Sequence, residues 1–278
     1  IGCAFAEDGI WYVRQFLAES ALDEQEVMEA FARFANGFRI LIHFNGDGFD
    51  IPYLAYKAGY YDLDLDFSRF ESIDLYRCTK PLKKLLGLES LRQKSIECFL
   101  GICRDDLYSG GALIPLYYDF ERTGDPETES LLLLHNFDDV RGMLKLLAIL
   151  NYTELTEGRF SFSGMEVKGQ TAILEYTLDL PLPVAFERET EGGRIRIFAE
   201  GTLLKLSILL YEGQARFPLA DVKNYYYLPE EDTVIHRDVA QFVEKSRRKK
   251  ATKKNCYLKK EGRFLPQKKE LFQPAFLV

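Results

Sequence analysis

Arg39-Ile40-Leu41-Ile42-His43-Phe44 is a short, nearly unbroken apolar run that ends on Asn45-Gly46-Asp47-Gly48, and a helical pattern begins near Phe49–Pro52. An apolar run this short, without polar alternation, reads as a strand of the buried type, and such strands belong to sheets covered by helices. The flanking segments agree. Ile1–Phe5 and Ile10–Phe16 surround the turn Glu7-Asp8-Gly9 and predict a β-hairpin. Asp23 with Glu26 three residues on makes a capping-box-like helix start, Val27, Phe31 and Phe34 share one face of that helix, and Gly37 stops it. Ser72–Tyr76 is another short strand. Helices are predicted around Lys80–Leu86, Leu91–Leu100 and Leu113–Arg122, and the longest from Pro126 to Leu150. Strands alternating with helices define an α/β layer.

After Asn151 the texture changes. Phe160–Val167, Thr171–Leu178, Val184–Arg188, Arg194–Ala199 and Leu203–Tyr211 read as short strands, with Gly192-Gly193 as a hairpin turn. A boundary near Thr153–Arg159 gives an α/β domain over 1–152 and a smaller β-rich domain over 156–278, which suits a chain of 278 residues. The composition, 47% hydrophobic and 28% charged, is that of a soluble globular protein. No apolar run approaches the roughly 18–20 residues that span a bilayer, and no secretory signal is visible. The chain lacks an initiator Met and reads as a fragment or processed product. Cys3, Cys78, Cys98, Cys103 and Cys256 include no C-x-x-C pair, which argues against zinc and for free thiols in a reducing cytoplasm.

Charge is unevenly placed. The net charge is −7, yet twelve Lys and Arg fall between Lys245 and Lys269 against one acid, Glu261. Arg247, Arg248, Lys249, Lys250, Lys253 and Lys254, interleaved with Tyr257 and Phe264, suit phosphate neutralisation and base stacking; a solvated charged segment is the plainer alternative.

Three stretches carry candidate chemistry. Asp50 falls in the first turn of the helix after the Arg39–Phe44 strand, where α/β sheets gather ligands; it either binds a cation or favours the helix N-terminus. His135 and Asp139 are four apart in the longest helix and share a face, either as a base beside a metal ligand or as a surface pair; Asp138 lies about 100° away and is expected in solvent. Asp74 sits in or at the end of a strand, where it supports the site, contacts a nucleotide or is structural.

Together these stretches resemble the DEDD-type 3′–5′ exonucleases. Asn45-x3-Phe49-Asp50-x-Pro52-Tyr53-Leu54 is similar to their second motif, and His135-x3-Asp139 to their third. Ile73-Asp74-Leu75-Tyr76, Phe99-Leu100-Gly101 and Ser109-Gly110-Gly111 follow in the same order. The best resemblance is to the YprB-like ribonuclease H-like domain family, over roughly Ile1 to Leu150. It implies an RNase H-like (DnaQ-like exonuclease) mixed sheet with flanking helices. The opening Asp-x-Glu strand of these enzymes is not found and is expected just upstream of Ile1. The His–Asp interval of four matches the Tyr-type members rather than the His-type.

What the resemblance implies is hydrolysis of single-stranded DNA or RNA from the 3′ end with two Mg²⁺ or Mn²⁺ ions. Asp50 and Asp139 would be ligands, His135 the general base, and Asn45, Tyr53 and Asp74 substrate or supporting contacts. The fragment alone is expected to be inactive. The rival reading is a non-catalytic nucleic-acid-binding module that keeps the fold. A polymerase proofreading domain is disfavoured, because 156–278 is too short and has no acidic polymerase motif.

Overall fold

The structure is a computed structural model that describes residues 1–102, 110–190 and 192–265. Cys103, Ser109, Lys268 and Lys269 lie outside the described residues. The chain divides into two compact units. One holds Ile1–Phe160, Leu178–Phe186 and Ala199–Thr202; the other holds Ser161–Thr177, Glu187–Phe198 and the chain from Leu203 onward.

The first unit opens with a hairpin of β1 (Gly2–Glu7) and β2 (Ile10–Gln15), paired from Gly2↔Gln15 to Glu7↔Ile10. Asp8 and Gly9 form its two-residue turn with φ of 51° and 79°. Positive φ at both positions matches the twist of the strands, which is why Asp-Gly is favoured there. Helix α1 (Glu24–Ala35) buries Met28, Phe31, Ala32 and Ala35 in a core shared with Ala58 and Leu65. Its start differs from expectation. Asp23 makes no side-chain cap; its carboxylate instead accepts from Ser20 N (2.9 Å) and Oγ (2.8 Å), closing the preceding turn.

A β-α-β unit follows. Strand β3 (Ile40–His43) leads through a 3₁₀ turn at Gly46–Gly48 into α2 (Asp50–Tyr60), and the chain returns as β4 (Glu71–Asp74), parallel to β3 with His43 opposite Asp74. The expectation of a fully buried β3 is corrected: Ile40 is 53% and Ile42 38% exposed. Ile40 and Ile42 alternate with the less exposed Leu41 and His43, so it is one face of the β3-β4 ladder that is left uncovered. Among the described strands β3 pairs only with β4 and β1 only with β2, so this unit holds separate ladders rather than one continuous mixed sheet.

The helices α3 (Leu75–Thr79), α4 (Lys83–Leu86), α5 (Gln93–Phe99), α6 (Gly110–Thr123) and α7 (Pro126–Leu146) complete the layer. The longest helix stops four residues short of Leu150; Leu147–Tyr152 tightens to 3₁₀ before α8 (Thr153–Glu157).

The five short strands expected between Phe160 and Tyr211 are instead three long ones: β5 (Phe160–Lys168), β6 (Thr171–Glu189) and β7 (Ile195–Leu209), in sheet order β5-β6-β7. Pro181, Pro183 and Gly201 read as breaks. Proline's φ is compatible with a strand wherever its missing N–H is not needed, and Gly201 continues β7 with φ 53°.

In the second unit β8 (Tyr211–Pro218) is antiparallel to β12 (Tyr257–Phe264). Strand β9 (Tyr225–Leu228) lies between β10 (Thr233–His236) and β11 (Lys249–Lys250), and α9 (Arg237–Ala240) is a single short turn.

Candidate active site

The loop after β3 is fixed by hydrogen bonds that converge on Asp74. Asn45 turns the chain with a left-handed backbone (φ 57°, ψ 20°), a conformation asparagine tolerates better than most residues. Its N–H donates to Asp74 Oδ1 (2.8 Å), and Tyr76 N–H donates to the same oxygen (2.9 Å), so one carboxylate ties the loop to β4 and caps α3. Asp74 is 6% exposed. Both bonds are structural, and they make Asp74 a positioning group for the loop that carries Asn45.

His43 locks the same loop. Gly46 N–H donates to His43 Nδ1 at 3.0 Å, so that nitrogen is an acceptor, and by the hydrogen-bond pattern the proton sits on Nε2, 2.8 Å from Ser72 Oγ. Gly46 is required here, because a Cβ would lie 2.9 Å from His43 Nδ1. His43, Asp47 and Asp74 place ligand atoms within 4.8 Å of one another. The group fits a hydrogen-bonded lock better than a cation: both imidazole nitrogens are committed, and Asp47 is taken by Arg77 Nη1 at 2.6 Å. His43 and Asp47 carry no catalytic signature in the sequence; the one signal is their spacing of four.

Asp50 opens α2 and remains accessible. Loss of water from its surroundings raises its carboxyl above the ordinary aspartate value, against the pull of a backbone N–H and of His43. One turn on, Tyr53 OH donates to Glu24 Oε1 (2.9 Å), and Tyr61 OH and Lys57 Nζ hold Glu24 Oε2, which fixes α2 to α1. Tyr53's hydroxyl is thus engaged, and its ring is stacked with Phe49 (centroids 6.3 Å apart) and has Lys57 Nζ 5.6 Å from its centroid.

The rotation of α7 is set by the hairpin. Gln15 Nε2 donates to Leu133 O (2.7 Å) and Asn136 Oδ1 (2.8 Å), and a Cβ on Gly2 would meet Asn136 Oδ1 at 2.2 Å. Asn136 and Val140 therefore face β1. His135 and Asp139 precede them by one position each and lie about 100° around the helix. Their side chains meet, with His135 Nε2 3.3 Å from Asp139 Oδ2. Asp138, expected in solvent, is the less exposed acid: 27% against 43% for Asp139, with Arg141 3.8 Å away.

An open pocket of about 580 Å³ lies beyond the carboxyl ends of β3 and β4, lined by Asn45, Asp47, Gly48, Asp74, Tyr76, Arg77, Lys80 and Pro81. The structure thus brings together Asn45 and Asp74, and separately His135 and Asp139. Asp50, His135 and Asp139 do not line the pocket. The carboxylates of Asp50 and Asp139 are hard oxygen donors of the kind Mg²⁺ and Mn²⁺ accept.

Several described basic residues of the second unit have defined partners. Arg247 pairs with Glu230 (3.0 Å) and Glu231 (2.8 Å). Arg248 donates to Ala240 O and covers the Tyr226 ring. Lys249 and Lys250 pair with Tyr227 and Tyr226 as β11 and are exposed, as are Lys253 and Lys254. Tyr257 is corrected as a base-stacking residue. It is 3% exposed, its hydroxyl is bound to Asp232 (2.6 Å), and its ring is covered by Arg216. In β12 the side chains alternate, and Tyr257 falls on the covered side.

The sequence matches the RNase H superfamily over residues 1–151, and the chain belongs to that superfamily. This membership gives it a nucleic-acid-directed, nuclease-type function of a class that generally uses divalent metals. Neither the curated proteins nor the solved structures contain a match. Among the described residues no helix is long and apolar enough to cross a membrane.

Proposed function

We propose that the chain is a metal-dependent 3′–5′ exonuclease of the DnaQ-like, DEDD type, within the YprB-like family, acting on single-stranded DNA or RNA. The observation that carries this reading is the His135–Asp139 contact of 3.3 Å on a face of α7 whose rotation Gln15 and Gly2 fix.

Asp50 and Asp139 would hold Mg²⁺ or Mn²⁺, and two such ions, when bound, relieve charge on the attacking and leaving oxygens. His135 takes the proton of the attacking water, with its imidazole oriented by Asp139. Asn45, whose side-chain amide has no hydrogen bond to a described residue, and the ring of Tyr53 position the substrate. Asp74 and His43 hold the loop that presents them.

The cage needs an Asp-x-Glu strand. Strands β1 and β3 each leave one edge unpaired among the described strands, where such a strand could add its backbone hydrogen bonds. The described cysteines Cys3, Cys78, Cys98 and Cys256 are free thiols, in keeping with the cytoplasm.

One observation favours the rival reading, a non-catalytic nucleic-acid-binding module: among the described residues, the group with three ligand atoms close together contains neither Asp50 nor Asp139. Nuclease assays in Mg²⁺ and Mn²⁺ on the longest natural form of the protein decide between them. Shortening of single strands from the 3′ end, lost in Asp139→Asn, supports the exonuclease. Cleavage that persists in that variant rejects it.

A further inference from the structure

We propose that a single strand of nucleic acid crosses the carboxyl ends of β3 and β4, with its phosphates over Arg77, Lys80 and Lys84 and its bases against the outer face of α2. The proposal rests on the nucleic-acid reading of the site, not on hydrolysis.

Ligands of parallel β-α-β units gather beyond the strands' carboxyl ends, and the 580 Å³ pocket lies there. Its two acids are already satisfied: Asp47 by Arg77 at 2.6 Å, and Asp74 by the N–H groups of Asn45 and Tyr76. What the rim still offers is the Asn45 amide and the Lys80 ammonium.

The charge extends along the helical run from Leu75 to Leu86. Arg77, Lys80 and Lys84 recur at i, i+3 and i+7 and are exposed, while Leu75, Leu82 and Leu86 are buried on the other side. Lys80 and Lys84 have no acidic partner among the described residues. In a protein of net charge −7, Lys80 and Lys84, without a described acidic partner and next to the Arg77–Asp47 pair that borders the pocket, are complementary to a phosphodiester backbone.

The other side of the same loop supplies flat apolar faces. Gly48 lines the pocket, and the next residue begins a row along α2: Phe49 (71% exposed), Tyr53 (46%), Tyr56 (66%) and Tyr60 (70%). The spacing of i, i+4, i+7 and i+11 keeps them on one helix face. Phe49 and Tyr53 lie with planes 9° apart, and Tyr56 and Tyr60 with planes 27° apart. Rings rather than aliphatic side chains suit bases, whose faces are open to such stacking only in a single strand.

The test is fluorescence anisotropy with a labelled oligothymidylate in EDTA, where nothing is hydrolysed, over a series of salt concentrations. Circular dichroism checks that each variant is folded. Lys80→Ala with Lys84→Ala is expected to flatten the slope of log K against log salt by roughly 1.4, the single-strand value for two lost phosphate contacts. Tyr56→Ala with Tyr60→Ala is expected to weaken binding by about tenfold or more at every salt concentration and to leave the slope unchanged. A duplex of the same length should bind less tightly. Unchanged slope and affinity in folded variants, or equal affinity for duplex, would overturn the track. No binding by the unaltered protein overturns both the track and the nucleic-acid reading. Both shifts present without hydrolysis by the complete protein in Mg²⁺ leaves the track standing and removes only the exonuclease.

Discussion

His135 Nε2 lies 3.3 Å from Asp139 Oδ2, one turn apart on α7, with His135 the more enclosed of the two side chains (12% against 43% exposed). In the proposed mechanism this imidazole, held beside a carboxylate, takes the proton of the attacking water. His135→Gln is expected to lower kcat by about 10²- to 10⁴-fold while leaving KM nearly unchanged, since general-base catalysis acts in the transition state. Steady-state kinetics on the complete protein checks this. An equal rise in KM with kcat intact would assign His135 to substrate binding instead.

Gly2 and Asn136 set the depth at which α7 sits against the hairpin. A methyl group at position 2 would approach Asn136 Oδ1 to 2.2 Å and Val140 Cγ2 to 2.7 Å. Gly2→Ala is therefore expected to destabilise the first unit by about 1–3 kcal/mol, the usual cost of overpacking. Denaturant melts followed by circular dichroism measure the change, and an unaltered midpoint would mean that α7 is not held here.

Tyr152 is fully buried; its hydroxyl donates to Val184 O (2.6 Å) and accepts from Val184 N–H (3.0 Å). Burial pushes its pKa up to about 12. A raised pKa means that its stabilisation is complete below the unfolded value near 10 and is lost as pH rises through 12. Tyr152→Phe leaves both backbone groups unsatisfied and should cost about 1–3 kcal/mol at pH 7. The gap from the unaltered protein should narrow above about pH 10.

Asp232 gathers Lys259 Nζ (2.6 Å), Tyr257 OH (2.6 Å) and Tyr227 OH (2.7 Å). The bond to Lys259, then those to the tyrosines, hold its carboxyl well below the usual aspartate range. A depressed pKa contributes stability above the unfolded value of about 3.9 and loses it as pH falls below that value. Asp232→Asn is expected to cost about 1–3 kcal/mol at neutral pH. That cost should shrink below about pH 4, which urea titrations at several pH values would follow.

Local chemistry made much of the fold legible. Asp8-Gly9 announces its hairpin because only a few residues accept the required backbone, and the four-residue spacing of His135 and Asp139 puts them on one face of any helix. Other features depend on partners distant in sequence. The role of His43 appears only when Gly46 and Ser72 are placed around its ring. Alternating basic and aromatic residues read alike whether the aromatic faces water or the interior, and Tyr257 faces inward because Asp232 and Arg216 meet it there. Pro181, Pro183 and Gly201 look like breaks although β6 and β7 run through them. The exposure of Ile40 and Ile42 follows from one face of the β3-β4 ladder being left uncovered, which an apolar run within β3 does not encode.

The central claim is that Asp50 and Asp139 act together on a divalent metal. The most direct measurement is degradation of a 5′-labelled single strand by the complete protein, titrated with Mn²⁺, for the unaltered protein and for Asp50→Asn and Asp139→Asn. The account predicts a ladder of products shortening from the 3′ end in the unaltered protein, and no ladder from either variant at any Mn²⁺ concentration. A ladder of unchanged rate from either variant would contradict it.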